Sequence, residues 1–146
     1  MSRVLFVGQA PGSKNSQPFV GRSGYRLAAF LGVTAEDMFA KHNFVNLVDE
    51  WQGKVGRGDV FKIDRCVDLN AKIADGVGMS VAVVFCGAGV AKALKIDQPL
   101  LDKFDYCGKP AMVLPHPSGV NRWWNDMQKR KGAIKRLRAF VSTVTR

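Results

Sequence analysis

Four short, mainly apolar runs constrain the fold of this chain more than any other feature. They are Val4–Val7, Phe44–Val48, Val81–Phe85 and Ala111–Leu114. None alternates cleanly between apolar and polar residues, so each is typical of a strand that is covered on both faces, as in a parallel sheet. A chain of 146 residues is long enough to bury such a sheet in one domain.

Helical patterns lie between and after these runs. They cover Gly21–Leu31, a short segment with Thr34 as its N-cap, Asp64–Ala74, Ala88–Leu94 and about Trp124–Val144. In the last helix the apolar residues form one stripe, at positions 124, 127, 134, 137, 141 and 144. Strands that alternate with helices indicate βαβ units with right-handed crossovers. We therefore predict one domain over residues 1–146, a three-layer α/β/α sandwich on a mainly parallel four-stranded sheet.

Composition predicts an intracellular, cytoplasmic protein without a metal or other cofactor. No apolar run approaches the roughly 18–20 residues of a membrane helix, and the N-terminus lacks the layout of a signal peptide. The cysteines Cys66, Cys86 and Cys107 are isolated, with no C-x-x-C pair. Isolated thiols favour neither a disulfide scaffold nor a zinc or iron–sulfur site. A monomer is the default expectation.

Positive charge is concentrated at the C-terminal end of the chain. The formal net charge is +10, and the segment from Arg122 onward holds eight basic residues and one acid, which amounts to +7. Such asymmetry favours a polyanionic partner, with nucleic acid first. The alternative is a basic helix face that is only solvated.

Two rigid loops follow strand-like runs at opposite ends of the chain. Leu114 is followed directly by His116, and Pro115 and Pro117 fix the backbone φ on either side of that histidine. The loop Gly8-Gln9-Ala10-Pro11-Gly12 follows the first run. In parallel α/β folds the loops at the carboxyl ends of the strands converge on one crevice, so we expect one site built from both loops. A purely structural role for His116 is the alternative.

Two further residues have a functional and a plain interpretation. Asn46, near the end of the second run, is either a satisfied turn residue or an amide that reads a base edge with one donor and one acceptor. Phe19 is either a core residue or a stacking platform. Nucleotide motifs are weak, because the first loop lacks the Gly-Lys-Ser/Thr of a P-loop and Cys86-Gly87-Ala88-Gly89 lacks the third glycine of a dinucleotide fingerprint.

The order of these segments resembles that of the uracil-DNA glycosylase superfamily over nearly the whole chain. The matching segments are Gly8–Gly12, Pro18–Gly24, Phe44–Val48, Val83–Gly87 and His116–Ser118. The nearest type is the iron–sulfur family four, which has a Gly-Glu-Ala-Pro-Gly loop, a Pro-Phe-Val-Gly-Arg-Ala-Gly segment and a His-Pro-Ser loop. Five elements in one order are specific, although each alone is not.

The resemblance implies catalytic roles for three residues. His116 would stabilise negative charge on O2 of the leaving base, and Gln9 or Asn15 would orient the attacking water. Preorganised donors aimed at developing charge commonly supply ~3–4 kcal/mol each. A neutral imidazole can do this as a donor, without proton transfer.

The resemblance also implies how a base and its DNA would be held. Asn46 would bind the Watson–Crick edge of a flipped base, Phe19 would stack on it, and the backbone at Ala10 would line the pocket. A glycosylase must extrude its base, because the bond cannot be reached inside the stack. DNA contacts are implied or predicted for Pro11, Ser13, Ser118, Gly119, Val120, Asn121, Arg122, Lys135 and Arg136.

Departures from the family-four pattern are equally informative. The cluster cysteines are absent, so no iron–sulfur cluster is expected. Gln9 replaces the glutamate of the first loop, and the segment Ser13–Gln17 has no carboxylate. Asp49 and Glu50 are the nearest acids at a strand end.

Function is predicted to be that of a monofunctional DNA glycosylase, acting in base excision repair. It would flip out and hydrolytically excise uracil or a modified pyrimidine from double- or single-stranded DNA. The missing acid favours one alternative, a catalytically weak or inactive DNA-binding relative. A nucleotide- or nucleoside-processing α/β enzyme is the other.

Overall fold

The computed structural model describes residues 2–10, 17–49, 54–55, 58–59, 68–119 and 121–146. The helices are α1 (Arg22–Leu31), α2 (Ala35–Lys41), α3 (Leu69–Gly78), α4 (Ala88–Ala93) and α5 (Met127–Val144), and a 3-10 turn covers Arg122–Asn125. The strands are β1 (Val4–Gly8), β2 (Asn43–Asn46), β3 (Lys54–Val55), β4 (Gly58–Asp59), β5 (Ala82–Cys86), β6 (Phe104–Tyr106) and β7 (Lys109–Leu114).

The central sheet has the strand order β2-β1-β5-β7-β6. The first four of these strands are mutually parallel, and β6 pairs antiparallel with β7. At the carboxyl edge, Gly8 lies opposite Asn46 and Cys86 lies opposite Leu114. This edge therefore gathers the ends of β2, β1, β5 and β7 into one row. Strands β3 and β4 form a separate antiparallel pair.

Helices cover both faces of the central sheet. Alternate residues of β1 point to opposite sides, so Val4 and Phe6 pack in one apolar cluster while Leu5 and Val7 pack in the other. The first cluster includes residues of α1, α2 and α5, and the second includes residues of α3 and α4. All five residues of β1 and of β5 are buried, as the uninterrupted apolar runs predicted. The three-layer α/β/α prediction is confirmed.

The sheet has five strands, whereas the sequence predicted four. The added strand, β6, is three residues long and carries the exposed Asp105 at its centre, so it has no apolar run to predict it. It returns to β7 through Cys107 and Gly108, whose φ angles are both positive, at 51° and 81°. Two central residues with positive φ are typical of a tight hairpin turn.

Helix ends follow local capping chemistry. Gly32 ends α1 in the left-handed conformation, and the hydroxyl of Thr34 accepts a hydrogen bond from the backbone N–H of Asp37 at the start of α2, as predicted. The predicted helix Asp64–Ala74 is displaced, because Asp68 caps α3 through the backbone N–H of Ala71 and the helix continues to Gly78. Residues 64–67 lie outside the described part of the chain.

The predicted C-terminal helix is interrupted at Asp126. Its carboxylate accepts hydrogen bonds from the backbone N–H groups of Gln128 and Lys129 and so begins α5 after the 3-10 turn. Met127, predicted within the apolar stripe, is 58% exposed. The buried residues of α5 are Ala133, Leu137 and Phe140. Across the residues that the structure describes, no helix is long and apolar enough to span a membrane.

Candidate active site

The candidate site lies at the carboxyl edge of the sheet, where β2, β1, β5 and β7 end side by side. Parallel pairing between β1 and β2 continues past the strands, because the backbone N–H of Leu47 donates to the carbonyl of Gly8 at 3.0 Å. The N–H of Val48 donates to the carbonyl of Gln9 at 2.9 Å. These bonds fix the first residues of the N-terminal loop beside Asn46.

Phe19 and Asn46 meet at Gly8. A β-carbon built on Gly8 would lie 2.6 Å from Oδ1 of Asn46 and 2.9 Å from Cε2 of Phe19, both closer than real contacts allow. Phe19 is 9% exposed, and its ring also packs on Phe44. The structure thus brings together the two residues predicted to bind a base, and only glycine fits between them.

The backbone of Phe19 adopts a left-handed conformation with φ 62°. A residue with a side chain rarely does so, and the conformation costs roughly 1–2 kcal/mol. The first turn of α1 packs against this backbone, since a β-carbon on Gly24 would fall onto the Phe19 carbonyl oxygen. Close helix packing therefore holds the ring beside Asn46 in spite of the strain.

Asn46 holds a buried donor that meets no acceptor among the described residues. The residue is 4% exposed, and its Nδ2 has no hydrogen-bond partner within the part of the chain that the structure describes. The great majority of buried polar atoms are hydrogen-bonded, and an unsatisfied one costs about 1–3 kcal/mol. This donor is the polar group best placed to meet a ligand acceptor.

His116 sits in a loop whose hydrogen bonds fix its orientation. Its carbonyl oxygen accepts from Nε1 of Trp124 at 2.8 Å and from Nδ2 of Asn121 at 3.0 Å. Its own Nδ1 accepts from the backbone N–H of Ser118 at 3.1 Å. A neutral imidazole that accepts at Nδ1 carries its proton on Nε2, which makes Nε2 a donor.

His116 lies on the same edge of the sheet as Phe19 and Asn46. It follows β7, which is two strands from β1 and three strands from β2, where Asn46 lies. It packs on Gly87 at the end of β5, where an added β-carbon would lie 3.2 Å from the His116 Cβ. Two to three strand spacings amount to roughly 10–14 Å. The amide and phenyl ring therefore lie on one side of the candidate site and the imidazole on the other.

Two further residues hold the histidine loop, and neither was assigned to the site from the sequence. Arg26 of α1 donates from Nε to the carbonyl of Pro117 at 3.0 Å and so holds the histidine loop. Trp124 also holds this loop, because its Nε1 donates to the carbonyl oxygen of His116. A buried tryptophan usually finds an acceptor for its N–H, so Trp124 left a usable signal in the sequence, whereas Arg26 left none.

Arg26 lies beside a second cation. The guanidinium carbons of Arg26 and Arg130 lie 5.6 and 5.5 Å from the centre of the Phe30 ring. Burial lowers the pKa of Arg26, and the charge of Arg130 lowers it further. Positive charge is thus concentrated next to the His116 loop.

Several predicted site residues lie elsewhere or outside the described ranges. Pro11, Ser13, Asn15 and Val120 lie outside them. Gln9 and Ala10 follow β1 and are half-buried. The side chain of Asn121 points inward, where its Oδ1 accepts from the backbone N–H of Trp123 and its Nδ2 holds His116. The predicted DNA contacts Gly119, Arg122, Lys135 and Arg136 are all exposed, and Ser118 is half-buried.

Asp49, one of the two acids that follow β2, forms an ion pair with Lys72. Its Oδ1 lies 3.0 Å from Nζ of Lys72, which also donates to the carbonyl of Leu47 at 2.7 Å. The Asp49 side chain is 82% exposed. Glu50 lies outside the described residues.

Buried Cys86 is chemically quiet, because burial strongly raises the pKa of its thiol. Cys107 is exposed in the β6–β7 turn, and Cys66 is outside the described ranges. Within those ranges no three or more His, Cys, Asp or Glu side chains are grouped to hold a metal.

The chain folds as an α/β domain whose candidate site lies at the carboxyl edge of a mostly parallel sheet. The family model described as the Uracil DNA glycosylase superfamily matches residues 1–139. A search of the curated proteins gave no match. Because the match covers nearly the whole chain, this protein belongs to the uracil-DNA glycosylase superfamily, a family that acts on DNA.

Proposed function

We propose that this protein is a monofunctional DNA glycosylase that flips a nucleotide out of DNA and hydrolyses its N-glycosidic bond. The released base is uracil or a modified pyrimidine. The observation that carries the proposal is the buried Nδ2 of Asn46, which has no hydrogen-bond partner among the described residues and lies beside the ring of Phe19. Superfamily membership supports DNA as the substrate.

Base recognition follows from the chemistry of these two side chains. An amide offers one donor group and one acceptor, which complements the adjacent carbonyl and N–H on the edge of a uracil-like base. The ring of Phe19 provides an apolar face for stacking. A base can reach both only when it has left the duplex stack, which requires extrusion.

Bond cleavage places negative charge on the base. A water oxygen bonds to C1′, the C1′–N1 bond breaks, and its electron pair leaves on the base, which the proton lost by the water then neutralises. The Nε2–H of His116 is a donor suited to O2 of that anion. One preorganised donor of this kind contributes about 3–4 kcal/mol to the transition state.

Water is oriented by amides rather than by an acid. Gln9 has a fixed backbone next to Asn46, and Asn15 is the second candidate. An amide can hold a water molecule, but it removes a proton poorly. The rate is therefore expected to depend mainly on stabilisation of the departing base by His116.

DNA is expected to contact exposed residues near the candidate site and on α5. Gly119 and Arg122 flank the His116 loop, and Lys135 and Arg136 lie on the exposed side of α5. With Ser118 they would contact phosphates, as would Pro11 and Ser13, while Val120 would enter the duplex. The hydrogen bonds of Asn121 favour a role in holding His116 instead of insertion.

A second candidate function is binding to DNA without base release. The observation that favours it is the ion pair between Asp49 and Lys72, which engages the first acid after Asn46 in the sequence. Together with glutamine at position 9, this leaves the water without an evident base. Such a protein would bind DNA in a salt-sensitive way and leave every base in place.

The deciding experiment uses oligonucleotides with uracil, 5-hydroxymethyluracil or a mismatched base, at an excess of protein. Base release leaves an abasic site, which alkali converts into a strand break. Release from at least one substrate, lost in His116→Ala, supports the glycosylase. DNA binding with no abasic product from any substrate supports the second candidate.

A further inference from the structure

We propose that Arg26 and Arg130 form a binding site for one DNA phosphodiester, and that this site is coupled to the His116 loop through a hydrogen bond of Arg26. Binding of the phosphate would hold His116 in its working position. The inference rests on DNA being the substrate, as in the proposed function.

The ring of Phe30 gathers the two guanidinium groups. Both guanidinium carbons lie within cation–π range of that ring, at 5.6 Å for Arg26 and 5.5 Å for Arg130. Trp124 stacks on the same ring with a centroid distance of 4.4 Å and an interplanar angle of 29°. Because Trp124 covers one face, the cations share the rest of the ring and are held near each other.

The charge of this pair is not neutralised by the protein. No salt bridge joins either guanidinium to a carboxylate among the residues that the structure describes. The pKa of Arg26 is lowered first by burial and then by the charge of Arg130, so the two cations disfavour each other. A phosphodiester would relieve this repulsion, and its oxygens match the planar fork of a guanidinium.

Arg26 also contacts the histidine loop directly. Its Nε donates to the carbonyl of Pro117, between His116 and Ser118. The other N–H groups of a guanidinium point away from Nε and can meet an anion while this bond is kept. A phosphate on the pair would therefore stiffen the backbone that carries the imidazole.

Arg138 offers a matched control. Its guanidinium also donates to backbone carbonyls, from Nε to Phe30 at 2.7 Å and from Nη2 to Ala29 at 3.3 Å. These hydrogen bonds satisfy two carbonyl groups near the end of α1, and neither of them involves the His116 loop. Substitution of Arg138 removes one positive charge and comparable hydrogen bonds.

The test measures binding to a duplex with an abasic-site analogue as a function of salt. The double variant Arg26→Gln and Arg130→Gln should reduce the slope of log affinity against log salt by about 1, because the pair neutralises one phosphate. Arg138→Gln should keep the wild-type slope. A slope unchanged in the double variant would overturn the phosphate site.

The link to His116 is tested by single-turnover base release at saturating DNA. Arg26→Lys keeps the positive charge but loses the planar Nε donor. The slope of log affinity against log salt should therefore equal that of the wild type, while base release slows between about tenfold and a hundredfold. Release at the wild-type rate would overturn the link. If the wild type binds DNA but releases no base, the glycosylase proposal fails while the salt slopes still decide the phosphate site.

Discussion

The amide of Asn46 and the ring of Phe19 approach the same backbone atom, the α-carbon of Gly8. A side-chain carbon at that position would lie 2.6 Å from the amide oxygen and 2.9 Å from the ring. Gly8 and Asn46 are paired in the parallel register of β1 and β2, so the sheet itself sets this distance. The side of the candidate site that would recognise a base is thus attached directly to the central sheet.

Asn46→Ala is expected to abolish base release without lowering the free energy of unfolding. Its Nδ2 donates to no acceptor in the described structure, so its removal relieves a desolvation cost of about 1–3 kcal/mol that offsets the lost packing. Single-turnover release and urea unfolding measure the two effects.

Asn43 is the matched control for this prediction. Its Nδ2 donates to the hydroxyl of Ser80 at 3.0 Å at the other end of β2. Asn43→Ala should therefore lower the free energy of unfolding by about 0.5–1.5 kcal/mol and keep base release. The opposite pattern, with Asn46 needed for stability and not for release, would show that its amide is structural.

Gly8→Ala is expected to stop base release, because the added methyl group must displace Asn46, Phe19 or both. Gly132 is the control, since a β-carbon there meets nothing within 4 Å and the residue lies inside α5. Gly132→Ala should raise the free energy of unfolding by about 0.5–1 kcal/mol and keep activity. An active Gly8→Ala protein would mean that this contact does not shape the site.

Removal of two exposed charges on α5, in the double variant Lys135→Gln and Arg136→Gln, is expected to weaken DNA binding and to flatten its salt dependence. Arg136 makes only an exposed ion pair with Asp102, at 3.7 Å, which contributes little to stability. The stability of the variant should therefore stay within about 0.5 kcal/mol of wild type. A salt slope equal to that of wild type would exclude this part of α5 from the DNA face.

Stability is expected to fall as the pH drops below 6.5, with His42 as one cause. Its Nδ1 accepts the backbone N–H of Val4, and burial lowers the pKa of His42 below its ordinary 6.5, with smaller effects of Arg3 and Lys41. The unfolded chain then binds the proton first, so the His42 contribution is complete above pH 6.5 and is lost as the pH falls toward the folded-state pKa.

His42→Asn tests this assignment, because an amide oxygen can accept the same hydrogen bond without titrating. Melting temperatures at about pH 7.5 and 5 should differ less for the variant than for the wild type. An equal drop in both proteins would place the pH dependence on other groups.

The parallel core and the strand-end positions of the site could be predicted from the sequence. The run Val4–Val7 is buried on both faces. The next residue, Gly8, therefore lies at the edge of the sheet where β2 also ends, at Asn46. His116 was marked by the two prolines that flank it. In each case the signal was local, since it lay in a short apolar run or in the residues just after it.

Specific side-chain contacts between distant elements could not be predicted. Arg26 and Pro117 are 91 residues apart, and nothing near Arg26 indicates that its guanidinium turns toward that carbonyl. The ion pair of Asp49 with Lys72 and the inward turn of Asn121 depend equally on how α3 and the 3-10 turn pack. Strand β6 is held by pairing with β7 and has no apolar run of its own.

Base release under single-turnover conditions is the most direct test of the account, with wild type, His116→Ala and Asn46→Ala compared on the same uracil-containing and modified duplexes. DNA affinity is measured in parallel. The account predicts an abasic product from the wild type, and a large loss of release in both variants with DNA affinity nearly intact. A wild-type protein that binds these duplexes and leaves every base attached would contradict it.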